Sequence, residues 1–298
     1  MSVSFCGLEL AHPIINGSGT FDAIAARRAF GAGLLHGFPF AAYVSKTITL
    51  EPREGNPPPR LWEAAAGMIN SIGLPNKGLH GYLREDLPQL AEIAAGVAEQ
   101  LGNAPPLITN VMGASATEIV RLLAACDERE EIAALELNVS CPNVKTGLDI
   151  GADPRQLEDV VRAVRPSTRK PLIVKLTPNT ADVALCAQAA EAGGADAVSL
   201  INTLRATALA PGWEGEERRP WLGGGTGGLS GPAIRAVALA QVAAVAQRVS
   251  IPVIGMGGVR SASDARDLMD VGACLVAVGT ESFRDPAAGA RIASELAS

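Results

Sequence analysis

The stretch Glu136-Leu137-Asn138-Val139-Ser140-Cys141-Pro142-Asn143 gathers a thiol, a hydroxyl and two amides at the end of an uncharged run, Ala133-Ala134-Leu135. Such a run suits a strand covered on both faces. Pro142 removes a ladder donor and biases Cys141 toward an extended backbone, so the thiol stands at the mouth of a turn, where it can give or take a proton. Asn138 and Asn143 carry amides that donate and accept together, which suits a planar ligand with both kinds of edge. A buried cysteine between turn-forming asparagines is the plainer alternative, and the company of Ser140 tips the reading toward chemistry. Two lysines extend the set. Lys175 ends the apolar run Leu172-Ile173-Val174, and Lys46 follows Ala42-Tyr43-Val44-Ser45. Burying an ammonium at such a position without a partner costs several kcal/mol, so each is expected to face a ligand that carries or gains negative charge.

These groups need a scaffold that delivers strand ends to one place. Uncharged runs end at Asn16, Ser45, Asn110, Asn138, Lys175, Ile201, Gly255 and Gly279, and each is followed by helical spacing: 22–35, 86–101, 117–126, 154–164, 181–192, 231–249, 262–271 and 286–296. That is the βα unit repeated eight times, which at 298 residues fits one closed (β/α)8 barrel, residues 1–298, better than an open doubly wound sheet. Thr180 and Ser261 stand where N-caps are expected, and Gly193-Gly194 and Gly272 where helices close.

A barrel's site lies at the C-terminal ends of its strands, with phosphate commonly on the loops after the seventh and eighth. Gly255-Met256-Gly257-Gly258 and Gly279-Thr280 occupy those loops, and Ser230-Gly231 adds donors. Absent side chains there let backbone N–H groups approach an anion. The connections 46–86 and 202–231 are too long for plain βα loops. The first carries Met68, Ile69, Ile72 and Leu74, too apolar to be left in water, and reads as functional; for 213–225 a flexible insertion is an equal alternative.

Composition excludes other classes. The net charge of -6 offers no basic stripe for nucleic acid, and the apolar runs are too broken to span a membrane. The first residues lack the pattern of a signal peptide, which makes the cytoplasm the expected location. Five scattered cysteines read as reduced thiols, and neither they nor the three scattered histidines have metal-site spacing. Two lysines, several amides, a phosphate cradle and a thiol together suit a flavin mononucleotide beneath a small anionic substrate.

The motifs Asn138-Val139-Ser140-Cys141-Pro142-Asn143-Val144-Lys145, Gly67-Met68-Ile69-Asn70-Ser71-Ile72-Gly73-Leu74, Ile201-Asn202-Thr203-Leu204, Gly227-Gly228-Leu229-Ser230-Gly231-Pro232 and Ile254-Gly255-Met256-Gly257-Gly258 resemble, in order and over nearly the whole chain, those of class 1 dihydroorotate dehydrogenases. The resemblance implies FMN-dependent oxidation of dihydroorotate to orotate in pyrimidine synthesis, with Cys141 as the base that takes the C5 proton while C6 passes a hydride to the flavin. It implies that Lys46, Asn70, Ile72, Gly73, Leu74, Asn138, Asn143, Asn202 and Thr203 hold the substrate. It implies a cofactor site of Gly17, Ser18, Lys46, Thr47, Asn110, Asn138, Lys175, Ile201, Gly231, Gly257, Gly258, Gly279 and Thr280, with no metal. Residues 63–70 and 143–147 resemble the NAD-linked class 1B branch, in which a second subunit carries FAD and a 2Fe-2S cluster; a homodimer core joined by that subunit into a heterotetramer is then expected. A fumarate-linked class 1A homodimer, a related dihydropyrimidine dehydrogenase and a flavin-free barrel lyase or isomerase are the alternatives. Arg205-Ala206-Thr207-Ala208-Leu209 departs from the Lys-Gly-Met-Ala-Ile-type run usual after the Asn-Thr pair.

Overall fold

The computed structural model describes residues 2–140, 150–212 and 217–298. Eight parallel strands form its centre: β1 Ile14–Asn16, β2 Tyr43–Val44, β3 Leu107–Val111, β4 Ile132–Asn138, β5 Leu172–Lys175, β6 Ala197–Leu200, β7 Val253–Met256 and β8 Leu275–Val278. They pair in the order β1-β8-β7-β6-β5-β4-β3-β2, each sequential neighbour in contact. Every residue of β5 to β8 is buried, as expected of strands covered on both faces.

The seam between β1 and β2 closes the barrel through a side chain. The Ala41 N–H donates to Ile14 O at 3.0 Å. Beyond it, Asn16 takes over the role of a strand: its Nδ2 donates to Val44 O at 2.7 Å, and its Oδ1 accepts the Val44 N–H at 2.8 Å. Asn16 is fully buried, so these bonds have no water to compete with them.

Helices α1 Ala23–Phe30, α2 Leu87–Leu101, α3 Ala116–Asp127, α4 Pro154–Val164, α5 Val183–Ala192, α6 Arg235–Ala246, α7 Ala262–Asp270 and α8 Ala288–Ala297 follow the strands in turn. Their caps are local chemistry. Asp22, Ser115 and Asp153 each accept a backbone N–H of the first turn, and Ser261 forms a reciprocal capping box with Asp264. The cap expected from Thr180 is instead Asp182, whose Oδ1 accepts from Ala184 and Leu185 N–H. Thr180 Oγ1 donates to Ala152 O at 3.0 Å and ties α5 to the turn before α4, so the carboxylate two residues on starts the helix.

Two additions cover the barrel's ends. An antiparallel hairpin, Val3–Phe5 with Leu8–Leu10, places Phe5 and Leu10 in one buried cluster with Ile15, Ile108, Ala134, Ile173 and Leu275. Cys6 Sγ lies 3.5 Å from the oxygen of Asp196, just before β6, so this hairpin plugs the N-terminal end. At the other end the two long connections meet as one four-stranded antiparallel sheet, in the order Leu204–Ala206, Gly227–Ser230, Gly67–Asn70, Leu61–Ala64. The hairpin of its outer part continues through Trp221 N–H to Ala208 O and Ala210 N–H to Arg219 O, both 2.8 Å. Ile69, Ala208 and Leu222 make a small core under it, with Trp62 and Trp221 edge to face at 5.6 Å. Glycine is required where these strands touch: a Cβ on Gly228 would lie 1.9 Å from Thr203 Oγ1. Residue 213 lies outside the described residues, and the described part of 217–225 is thus anchored in the sheet rather than a free insertion. No helix among the described residues is long and apolar enough to cross a membrane.

Candidate active site

The antiparallel sheet and the C-terminal ends of the barrel strands enclose a cavity of about 550 Å³, within the range that holds a cofactor-sized ligand. Strand register sets its wall. Asn138 lies opposite Lys175 in the β4–β5 pair, so β4 and β5 end in an amide and an ammonium at neighbouring positions. Asn138 and Lys175 face the cavity, with Gly17 and Ser18 after β1, Lys46 and Thr47 after β2, and Ile201, Asn202 and Thr203 after β6. Gly257 and Gly258 after β7 and Gly279 and Thr280 after β8 close one end beside Gly231. Asn70, Ile72, Gly73 and Leu74 from the antiparallel sheet and its following loop close the top. Asn110 is the exception. It is fully buried inside the barrel on β3 and does not reach the wall. Cys141 and Asn143 lie outside the described residues.

The hydrogen bonds around the amides decide which atoms they offer. Asn138 Oδ1 accepts the Ser140 N–H at 3.0 Å and Asn202 Nδ2 at 3.4 Å. Its Nδ2 is therefore left as the donor. Asn202 Oδ1 accepts the Thr203 N–H at 2.9 Å, which holds the Asn202 amide edge-on to Asn138. Asn70 Nδ2 donates to Gly228 O at 3.3 Å, locking that amide to the covering sheet. Ser140 Oγ is buried on the wall with no partner among the described residues.

Two lysines line the cavity. Lys175 is 6% exposed and makes no side-chain hydrogen bond or ion pair among the described residues. Lys46 is exposed along the cavity, and desolvation of its stem draws its pKa below the ordinary lysine value, with Asp22 opposing the shift and Arg60 adding to it. A lysine poised this way gains from an incoming anion.

The glycine end is built for an anion. The N–H groups of Gly257, Gly258, Gly279 and Thr280 donate to no other part of the protein among the described residues. Gly257 and Gly258 have φ of 128° and 74°, and a Cβ on Gly258 would stand 2.9 Å from Arg235 Cβ. Thr280 Oγ1 donates to Ser230 Oγ at 2.8 Å and brings a second hydroxyl to the same end. These residues fit the phosphate of a flavin mononucleotide, and the donors, Lys175 and Ser140 Oγ, which have no partner among the described residues, fit a ligand with acceptors along its length. Among the described residues no cluster of His, Cys, Asp or Glu is arranged to hold a metal ion.

Sequence reasoning overlooked several wall residues. Arg53 and Asn56 come from the loop before the antiparallel sheet, where Arg53 pairs with Asn76 and Asn56 Nδ2 donates to Ser71 Oγ at 3.0 Å. Leu61 and Phe283, each more than half exposed, rim the mouth. Arg53 and Asn56 lie in the polar, proline-rich stretch 51–60, where nothing singles them out, and isolated exposed apolar residues give no signal either.

A parallel eight-stranded barrel with an anion cradle after its last two strands and an amide-lysine wall defines a (β/α)8 enzyme that works on a ligand held at its C-terminal mouth. A model of the dihydroorotate dehydrogenase family matches residues 1–298. The chain is 44% identical over 298 residues to the catalytic subunit of dihydroorotate dehydrogenase B (NAD(+)) of Desulforudis audaxviator, with 99% of this chain and 91% of the other covered. It is 43% and 44% identical over 297 residues to the proteins of the same name from Citrifermentans bemidjiense and Pelobacter propionicus, at 99% and 92% coverage in each case. The chain belongs to the dihydroorotate dehydrogenase family, and is an oxidoreductase.

Proposed function

We infer that this chain is the FMN-bearing catalytic subunit of an NAD+-linked dihydroorotate dehydrogenase, a single-domain cytoplasmic protein that oxidises dihydroorotate to orotate for pyrimidine synthesis. The observation that carries the reading is the cavity itself, with N–H groups free among the described residues at the Gly257-Gly258 and Gly279-Thr280 end and two lysines and four amides along its wall. FMN bound there would accept the hydride from C6 of the substrate.

The chain's own residues do the rest. Cys141 takes the C5 proton as its thiolate, and Asn143, Asn70, Asn202 and Thr203 orient the pyrimidine ring with the backbone of Ile72, Gly73 and Leu74. Lys46 neutralises the substrate carboxylate. Asn138, its Oδ1 already taken by Ser140 and Asn202, directs Nδ2–H donors to the space between substrate and cofactor. Lys175, buried and without an anion of its own among the described residues, favours the electron-rich ring. Gly17, Ser18, Thr47, Ile201 and Gly231 complete the cofactor's enclosure, which keeps water from the transfer. The relatives' names say catalytic subunit and NAD(+), and this sequence has no clustered cysteines for an iron–sulfur centre. Electrons therefore leave through a partner subunit carrying FAD and a 2Fe-2S cluster, on each half of a homodimer.

The test is to purify the chain alone, record its visible spectrum, and add dihydroorotate without oxygen. A yellow protein with one FMN per chain that bleaches is expected, turning over with a dye but reducing NAD+ only once the partner is present. A colourless protein, or a flavin that dihydroorotate does not bleach, overturns the assignment. Efficient turnover with fumarate by the chain alone moves it to the fumarate-linked branch.

A further inference from the structure

The covering sheet carries Asn70 on one strand, and another begins directly after Asn202 and Thr203, so the placement of three cavity residues depends on how that sheet is fixed to the barrel. The strand Leu204–Ala206 stands at the sheet's edge, beside Gly227–Ser230. An edge strand leaves backbone N–H and C=O groups open on its outer side. Here one side chain meets two of them. Asn179, in the loop between β5 and α5, accepts the Arg205 N–H on Oδ1 at 2.9 Å and donates from Nδ2 to Thr203 O at 3.0 Å. A backbone N–H only donates and a backbone C=O only accepts, so these two partners fix which way the amide faces. Thr177 Oγ1 steadies it from below, accepting Nδ2 at 3.1 Å and the Asn179 N–H at 3.2 Å. Thr177 is 2% exposed and follows Lys175 by two residues, so the clamp is rooted in the buried end of β5.

One row of the sheet starts at this clamp. Arg205 pairs with Gly228, and Gly228 pairs with Asn70. Asn70 Nδ2 also donates to Gly228 O at 3.3 Å, so this amide takes its position from the middle of the row. Asn202 and Thr203 are held from both sides of the same segment: the Asn202 N–H donates to Leu176 O at 3.2 Å, and Thr203 O meets Asn179. Asn179 itself stands behind the cavity wall.

We propose that Asn179 is a positioning residue for the substrate: standing in for a neighbouring strand at the edge of the covering sheet, it holds Asn202 and Thr203 directly, and Asn70 through the Arg205–Gly228 row, in the geometry that grips the pyrimidine ring. The inference rests on the proposed function, because it names the support of that same site. The glycine cradle at 257–258 and 279–280 follows β7 and β8 instead, so the support acts on the substrate and leaves the cofactor's anchor alone.

The experiment titrates orotate into the purified FMN-loaded protein and reads binding from the change it makes in the visible spectrum of the bound flavin. Asn179→Ala, which removes both ends of the clamp, is expected to bind orotate about tenfold more weakly than the parent. Its KM for dihydroorotate, with a dye as electron acceptor, should rise in step, while its FMN affinity by fluorescence titration stays at the parent value. Thr180→Val cuts the same loop's bond to Ala152 O but leaves the clamp, and is expected to bind orotate like the parent. Unchanged orotate affinity in Asn179→Ala overturns the proposal. Equal weakening of orotate and FMN, or a variant that holds no FMN, also overturns it, because Asn179 then serves the fold as a whole. A Thr180→Val as weak for orotate as Asn179→Ala does the same, since the loop and not the amide would be what matters. A parent that binds no FMN, or FMN but no orotate, defeats the proposed function and this inference with it; a parent and an Asn179→Ala that bind both ligands equally well defeat only the inference.

Discussion

Replacing Asn16 by Ala tests whether one side chain closes the barrel. Val44 is 2% exposed, and its N–H and C=O point across the seam toward β1, while the flanking Tyr43 and Ser45 N–H groups serve β3. Asn16 satisfies both Val44 groups, at 2.8 and 2.7 Å, and its Nδ2 also reaches Gly17 O at 3.2 Å. Alanine leaves a buried donor and a buried acceptor unpaired at about 1–3 kcal/mol each, so the expected loss is roughly 2–6 kcal/mol. That is a large share of the 5–15 kcal/mol typical of a folded domain. At about 2 °C per kcal/mol for a chain of this size, the midpoint of thermal unfolding should fall by roughly 4–12 °C. Urea unfolding of the flavin-free protein, followed by far-ultraviolet circular dichroism, measures the loss directly, with an unchanged slope showing that the unfolded state is not what moved. The same change should loosen FMN binding, because Gly17-Ser18 and Lys46-Thr47 leave the two strands joined at this seam. A loss below about 1 kcal/mol would mean that Val44 finds other partners and that Asn16 is not the closure.

Cys141→Ala should keep its flavin yet lose roughly 10²-fold or more in the rate of flavin reduction by dihydroorotate, measured by anaerobic stopped flow; reduction at the parent rate would show that Cys141 is not the base. Gly258→Ala forces a Cβ to 2.9 Å from Arg235 Cβ and 3.0 Å from Gly231 O at a φ of 74°, so FMN affinity measured by fluorescence titration should fall about tenfold or more, a strain of about 1–2 kcal/mol. An unchanged dissociation constant would remove this loop from the cradle. Burial works to raise the pKa of Asp127, but Thr168 Oγ1 and the Arg169 and Lys170 N–H groups more than offset it and hold it at about 2, from an ordinary 3.8. A carboxyl whose folded pKa is depressed gives stability that is fully present above the ordinary value and is lost as pH falls from there through about 2. Asp127→Asn should therefore flatten the fall in urea midpoint across that window, and a parent-like slope would show that other groups set it.

Much of the architecture was legible because it is local. A β-branched run without charge, a polar turn and an apolar stripe at helical spacing are properties of neighbouring residues, and they gave the eight βα units and the strand ends that wall the cavity. The helix 154–164 and the strand 172–175 could be read to the residue, since Pro154 at a first turn and Lys175 after three buried apolar residues mark their limits in the chain itself. The glycine pairs were legible for the same reason, each lying beside its own strand.

What escaped depends on residues far apart in sequence. The antiparallel sheet pairs 67–70 with 227–230, and neither segment alternates in polarity strongly enough to signal a strand alone; they become strands only because the barrel brings two loops together. The start of α5 turned on which of Thr180 and Asp182 was free, and packing gave Thr180 a distant acceptor in Ala152. Asn16 reads as the polar end of an apolar strand, yet the tertiary structure makes it a piece of β-sheet, because only there does Val44 present two backbone groups with no strand to meet them. Glu136 stood within the motif that first drew notice, and its partners, Asn110 and Ser199, lie 26 and 63 residues away on other strands. The sequence by itself determined which groups stand at the strand ends; closure of the barrel decided which way each of them faces.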